Sequence, residues 1–306
     1  MSVITRLRRL ARSVLGSRDA ATTEADRKLE RAAARDAHRQ QKQAARRERV
    51  GRQRADRGAL SVDAEVSTVA LDYPRHDIRL LASSRMEREW RARSCAKEPW
   101  TVAWLEASMP EGGVLYDIGA NTGAFSLVAA KIGGPGTTVV AFEPGYASFA
   151  RLCENIVLNG CQDVIFPVPL ALGEATGVAT LRYNTLHPGQ SRHRFVEHAW
   201  MRAGADQTAR YNQPILAISL DALVEQFSLP PPRHVKLDVD GAELSVLRGA
   251  ARTLASPGLA SILIEIDDSL SSAVTALLEA SGFRLAERHK RVQGEATRVW
   301  YGVFRR

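Results

Sequence analysis

The sequence predicts a doubly wound α/β fold, a mostly parallel sheet covered by helices on both faces, with a basic helical extension at its N-terminus. Three observations lead there. An apolar strand, Val114–Ile118, breaks into a glycine-bearing loop. A second, Val139–Phe142, ends on Glu143, an acid 26 residues after Asp117. Beyond them strand-like and helix-like segments alternate, as in a sheet whose parallel strands are joined by helical crossovers.

The first segment of the chain differs from the rest. Residues 1–58 hold 17 Lys/Arg and 7 Asp/Glu, a net of +10, which leaves the other 248 residues at −2 of the chain's +8. Any nucleic-acid reading therefore rests on this segment alone. Ile4, Leu7, Leu10, Val14 and Leu15 share one helical face among Arg6, Arg8, Arg9 and Arg12. That is a short basic amphipathic helix, suited to weak contact with an anionic membrane surface or to fraying on its own. Residues 24–57 have high helix propensity but no apolar stripe to bury, so a solvated, mobile helix is expected. They interleave no aromatics among the basic residues, which argues against a nucleic-acid partner. Gly51 and Gly58 place the boundary at 58, with the α/β domain over 59–306.

No run of about 18 apolar residues is present to span a bilayer, and no apolar leader with a cleavage site is visible. Cys95, Cys153 and Cys161 form no CxxC pair, so free thiols in a reducing compartment are expected. These readings place the protein in the cytoplasm, with peripheral contact at the inner membrane surface through the basic helix.

Residues 76–110 read as lead-in helices anchored by Trp90, Trp100 and Trp104. Strands are expected near 114–118, 137–142, 163–168, 233–238 and 260–266, and helices near 124–132, 146–158, 242–254 and 269–281. Two last apolar runs, 283–288 and 296–304, read as antiparallel edge strands with their turn near Gly294. The ligand crevice of such a sheet lies at the C-terminal strand ends, where Asp117, Glu143, Leu172, Asp238 and Glu265 fall. The stretch 184–214 has little period of its own and holds His187, Ser191, Arg192, His193, Arg194, His198, Trp200 and Arg202. It is expected to cover the site as a cationic acceptor-binding loop, suited to an acidic sugar, a phosphate or a nucleotide-linked acceptor. His187 and His193 are its first candidates for catalysis, although one such histidine is more often solvated or structural.

The loop Asp117-Ile-Gly119-Ala120-Asn121-Thr-Gly123 lacks the GxGxxG spacing that lets backbone approach a pyrophosphate. An acid just before it would repel a diphosphate and suit a cationic amino-acid head group. S-adenosyl-L-methionine carries such a group and no phosphate. Glu143 is placed to take ribose hydroxyls through two charge-assisted hydrogen bonds. The plainer alternative is an ordinary β–α turn beside a surface acid.

The runs DIGANTGAFSLVAAKIG, VVAFEPGYASFARLCENIVLNG, VPLALGEATGVATL, ISLDAL, VKLDVDGAELSVLRGA and ILIEI, in that order, resemble the FkbM family of S-adenosylmethionine-dependent methyltransferases over about residues 98–268. The resemblance implies the seven-stranded class I methyltransferase sheet, with a cofactor half near 98–175. It also implies O-methylation of a hydroxyl on a sugar, polysaccharide precursor or small natural product. Carried over by position, Asp117, Gly119, Asn121 and Gly123, with Ala120 beside them, form the methionine-side loop. Glu143 and the adjoining Pro144 flank the ribose, and Ala171 and Leu172 line the adenine. The family's Asp-x-Glu-Gly-x-Glu stands here as Asp238-Val-Asp240-Gly-Ala-Glu243, one methylene shorter at Asp240.

Three acids on one rim raise one another's pKa, which suits a general base or a bridging divalent ion. No histidine is fixed beside them, and no metal is assigned. Asp238 is the leading base, with Asp240, Glu243 and His187 as further catalytic candidates. For Glu243 the competing role is an acid facing the dipole of a helix N-terminus. Two other functions compete: methylation of nucleic acid with the basic tail as clamp, which the lack of an Asn-Pro-Pro-Tyr motif disfavours, and a non-catalytic cofactor-binding scaffold. The oligomeric state is not readable.

Overall fold

The computed structural model describes residues 66–183, 185–190, 194–196, 211–290 and 298–306. The chain divides into two units, Met1–Ser61 and Val62–Arg306, and every described residue belongs to the second. The expectations for residues 1–58, the Gly294 turn, Ser191, Arg192, His193, His198, Trp200 and Arg202 lie outside the described residues.

A hairpin of β1 (Ser67–Ala70) and β2 (Arg79–Ala82) leads in, followed by a short π-helix over Glu87–Arg91, then α1 (Ser94–Lys97) and α2 (Pro99–Ser108). The cofactor half follows as β3 (Gly113–Ile118), α3 (Ala124–Gly133), β4 (Thr137–Phe142), α4 (Tyr146–Leu158) and β5 (Ile165–Val168). Next come β6 (Ala171–Leu172), β7 (Gly177–Tyr183), β8 (Arg194–Val196) and β9 (Tyr211–Ile218). The chain closes with α5 (Leu220–Phe227), β10 (His234–Leu237), α6 (Glu243–Arg248), α7 (Ala251–Ala255), β11 (Ser261–Asp267), α8 (Ser271–Ala280), β12 (Arg284–His289) and β13 (Val299–Arg305).

Seven strands form the main sheet in the order β12-β13-β11-β10-β3-β4-β5. Strands β5, β4, β3, β10 and β11 run parallel, while β13 pairs antiparallel with β11 and β12. Side-chain alternation splits the core between the two faces. Leu115 and Val139 pack with Trp104, Leu105 and Leu127 on one face. Tyr116 and Val140 pack with Leu237, Ile262 and Phe304 on the other. Each such buried aliphatic side chain stabilises by roughly 1.5–3 kcal/mol. The chain turns from β4 on one side of β3 to β10 on the other, so the ends of β3 and β10 flank the switch point where such sheets bind ligands.

Several expectations are corrected. Arg79–Ala82 is a strand, with Leu80 and Ala82 buried, inside the segment read as helical. Trp100 and Trp104 are buried anchors, but Trp90 is 53% exposed, with Lys97 Nζ over its ring. The helix expected over 242–254 is two helices, broken where Gly249 packs on backbone: a Cβ there would lie 2.0 Å from the Gly173 carbonyl oxygen. Of the two closing runs, only β12 is an edge strand. β13 is apolar on both faces and buried along most of its length, so it sits inside, between β11 and the charged, exposed β12. The stretch 184–214 is not all loop. Residues 194–196 form β8 and 211–214 open β9, both in a second, four-stranded sheet ordered β6-β9-β7-β8.

Candidate active site

The site is built on two turns at the C-terminal ends of β3 and β10. The first leaves β3 through Gly119, Asn121 and Gly123, which take φ of 86°, 52° and 88°. The Gly119 and Ala120 amides both donate to the Phe142 carbonyl at 3.0 Å, which ties the turn to the end of β4. Gly123 is the N-cap of α3. Asn121 serves because its short polar side chain tolerates the left-handed region.

Glu143, just past β4, is 6% exposed. It accepts from the Asn121 amide at 2.9 Å and from the Gly145 amide at 2.6 Å, one to each oxygen. Burial pushes its pKa up to about 7, against the downward pull of those two amides and of Arg91. Pro144 is half-buried, and its carbonyl accepts from Gln213 Nε2 at 2.9 Å. Gln213 also accepts from the Tyr183 hydroxyl, and that hydroxyl accepts from the Tyr146 amide at 3.1 Å. The second sheet thus braces the Glu143 turn from behind.

Asp117 does not face open solvent. It is 1% exposed, accepts from Ser126 Oγ at 2.6 Å and pairs with Lys236 Nζ at 3.5 Å. Lys236, on β10, is itself 2% exposed and reaches Asp238 Oδ2 at 3.5 Å. Burial alone would lower the lysine pKa, but Asp117, Asp238 and Glu98 outweigh it and the net shift is upward. One buried ammonium therefore joins the floor of the first turn to the acid of the second.

The second turn runs Asp238-Val239-Asp240-Gly241. The Asp238 side chain is 23% exposed at its mouth. Asp240 is exposed with φ of 55°, a region that aspartate enters more readily than longer side chains. Glu243, at the start of α6, is 3% exposed and accepts from the Val239 and Gly241 amides at 3.3 and 3.1 Å. Burial pushes it up to about 7. Its carboxyl reaches back to hold the turn.

The remaining expected residues are more scattered. Ala171 and Leu172 are buried in β6 but face different clusters, Leu172 toward the main sheet and Ala171 toward the second sheet. His187 is exposed, and its amide donates to Thr185 Oγ1. No cluster of three His, Cys, Asp or Glu able to hold a metal ion occurs among the described residues. All three cysteines are free, with Cys95 and Cys161 buried.

Sequence reasoning passed over Lys236, Arg91, Ser126, Tyr183 and Gln213. Lys236 carried a readable signal, a lysine inside the apolar strand VKLDVD. Arg91 carried none, because its π-helix has no sequence period to announce it. Arg91 Nε donates to the Gly189 carbonyl at 2.7 Å, and Asn121 Nδ2 donates to the Gln190 carbonyl at 2.7 Å. The segment 189–190 is thereby fastened over the first turn.

The residues fit an adenosyl amino-acid cofactor. The oxygens of Glu143 each accept one amide and keep further acceptor capacity. Asn121 Oδ1 is buried without a partner. Glu143 and Asp238 stand just past the ends of β4 and β10, on either side of β3, so a cationic head group above the first turn would have carboxylates on both flanks.

The methyltransferase FkbM domain family matches residues 117–285. A hexuronic acid methyltransferase, AglP, of Haloferax volcanii is 28% identical over 208 residues, covering 68% of this chain and 78% of the relative. Methyltransferase 1 of Beauveria bassiana is 29% identical over 191 residues, covering 59% and 76%. The crystal structure of methyltransferase FkbM from Methylobacillus flagellatus KT aligns over 73% of this chain and 62% of that one, at 14% identity and a TM-score of 0.43.

Proposed function

The chain belongs to the FkbM family of S-adenosylmethionine-dependent methyltransferases, and on that premise we propose that it O-methylates a hydroxyl of an acidic sugar. The observation that carries the reading is the placement of Asp238. It stands at the end of β10, one strand from the glycine turn, partly exposed, with Lys236 Nζ 3.5 Å behind it. A relative that acts on hexuronic acid and the cationic sequence of 184–214 support a carbohydrate acid as acceptor.

S-adenosylmethionine supplies an electrophilic methyl group on a sulfonium. The chain's residues do the rest. The first turn and Glu143 fix the donor's amino-acid and ribose ends. The second turn presents the acceptor hydroxyl in line, and such positioning contributes on the order of 7–11 kcal/mol. Asp238 Oδ would take the hydroxyl proton as the oxygen–methyl bond forms and the methyl–sulfur bond breaks, with S-adenosylhomocysteine as the leaving group, an effect of about 10²–10⁴ in rate. Lys236 fixes the direction of that carboxylate, and Glu243 fixes the backbone that carries it.

The test is transfer of labelled methyl from S-adenosylmethionine to uronic-acid-containing oligosaccharides, with mass spectrometry of the product. The expected product is a methyl ether on a ring hydroxyl. Asp238→Asn should lower kcat by about 10²–10⁴ while calorimetry shows unchanged cofactor affinity. A variant at full rate removes Asp238 from the reaction. A methylated nitrogen or carboxylate overturns the O-methyl reading.

A further inference from the structure

Two cations stand near the two turns, and they are used differently. Lys236 is engaged by Asp117 and Asp238. Arg91 meets no carboxylate within ion-pair distance among the described residues, and its Nε donates to the Gly189 carbonyl at 2.7 Å. The side chain is only half-buried, and neither of its terminal nitrogens is among the buried unpartnered atoms.

The anchoring of Arg91 is rigid. Glu87, one turn earlier, is 1% exposed, pairs with Arg151 at 3.0 Å and accepts from the amides and hydroxyls of Ser83 and Ser84. Gly189 lies against Arg91 so closely that a Cβ there would come within 3.3 Å of its Cγ. The guanidinium is thus held with one edge fixed to Gly189, and a Cβ on that glycine would also lie 3.7 Å from Thr122 of the first turn, so Arg91 stands beside the donor-side loop. The planar guanidinium fork matches a carboxylate in both charge and spacing.

Resting on the methyltransferase reading above, we infer that Arg91 is the carboxylate receptor of this pocket, pairing through its two terminal nitrogens with a carboxylate of a bound molecule. Two sources share that chemistry, the amino-acid end of the methyl donor and the uronate group of the acceptor.

Arg91→Gln keeps a donor for Gly189 and removes the charged fork, and Arg91→Lys keeps charge without the fork. Calorimetry on the full chain compares S-adenosylhomocysteine with methylthioadenosine, which lacks the amino-acid end, and a uronate oligosaccharide with its carboxyl-reduced form. Loss of a charged bidentate pair should weaken binding on the order of 10–100-fold. If only S-adenosylhomocysteine weakens, the carboxylate is the donor's. If only the uronate sugar weakens, it is the acceptor's. Arg91→Lys should recover part of either loss. Unchanged affinity for all four probes overturns the inference. So does equal weakening of all four, which would mark Arg91 as a structural clasp on Gly189. If no sugar binds the wild-type chain but S-adenosylhomocysteine weakens selectively, the inference stands and the sugar reading falls.

Discussion

The turns leaving β3 and β10 share one design. Each carries a polar residue at positive φ, Asn121 at 52° and Asp240 at 55°. Each is laced from inside by a buried glutamate that accepts backbone amides, Glu143 in one and Glu243 in the other. They differ in what surrounds them. The first is packed against the second, against β4 and beneath residues 189–190, with Gly119 so close to Asp238 that a Cβ would lie 1.9 Å from its carbonyl oxygen. The second ends in open space, since a Cβ on Gly241 would meet no atom within 4 Å. Under the proposed function, the first would be a fixed cradle for the methyl donor. The second keeps the exposure needed to meet an acceptor.

The sharpest way to break this contrast is to add the same methyl group to both turns. Gly119→Ala forces a side chain into backbone at φ of 86°. Strain and overpacking together should cost about 3–5 kcal/mol. Gly241→Ala, at φ of 105° with space around it, carries only the backbone strain of about 1–3 kcal/mol. Urea unfolding monitored by circular dichroism gives both numbers. Equal costs would show that the first turn yields as easily as the second.

Lys236 couples the two turns, and removing it should cost nearly as much. Lys236→Met leaves Asp117 Oδ1, a buried atom with no hydrogen-bond partner, without its compensating charge. Breaking a buried pair in this way costs about 3–5 kcal/mol. Adding Asp117→Asn should recover a large part of that stability, because the orphaned charge goes with it. A double-mutant cycle in urea reads the coupling, and additive losses would mean that the 3.5 Å contact is idle.

The sheet strands were legible because parallel strands at the centre of an α/β sheet are continuous apolar runs bounded by turn residues. The glycine turn and Glu143 were legible through spacing. The second sheet was not. Burial in β9 alternates from Gln213 to Ala217, but its sequence hides this: Pro214 interrupts the strand and the exposed Leu216 is as apolar as the buried Ile215 and Ala217 beside it, so no polar–apolar alternation marks it. The role of Glu243 was also hidden, because a helix-start acid reads the same whether it faces solvent or reaches back to buried amides. Arg91 depends on tertiary contact with Gly189, 98 residues away, which no local pattern encodes.

The paired glutamates sharpen the comparison through pH. Burial raises both from 4.5 to about 7. A carboxyl raised on folding contributes stability that is complete below its unfolded pKa and lost as pH rises through its folded pKa. Without ligand, stability should therefore fall between about pH 4.5 and 7, and Glu143→Gln and Glu243→Gln should each flatten part of that fall. Ligand binding separates them. The carboxylate form of Glu143 is the better acceptor for ribose hydroxyls, so S-adenosylhomocysteine affinity should rise with pH across neutrality. Glu143→Gln should abolish that rise and weaken binding on the order of 10–100-fold. Glu243→Gln should keep the rise. The same pH profile in all three proteins would detach Glu143 from the ribose.

The smallest effect is expected where the second turn meets solvent. Asp240 is exposed, so Asp240→Glu alters neither a core contact nor a buried charge. Its φ of 55° discriminates, because short polar side chains tolerate that region and longer ones gain nothing from it. Stability should change by no more than about 0.5 kcal/mol, with cofactor affinity untouched. The kinetic readout carries the information. A longer acid at the mouth moves a carboxylate toward the acceptor without touching the donor, so KM for the sugar should shift while kcat holds. If instead cofactor affinity changes with Asp240→Glu, the second turn reaches the donor as well, and the division of labour between the two turns fails.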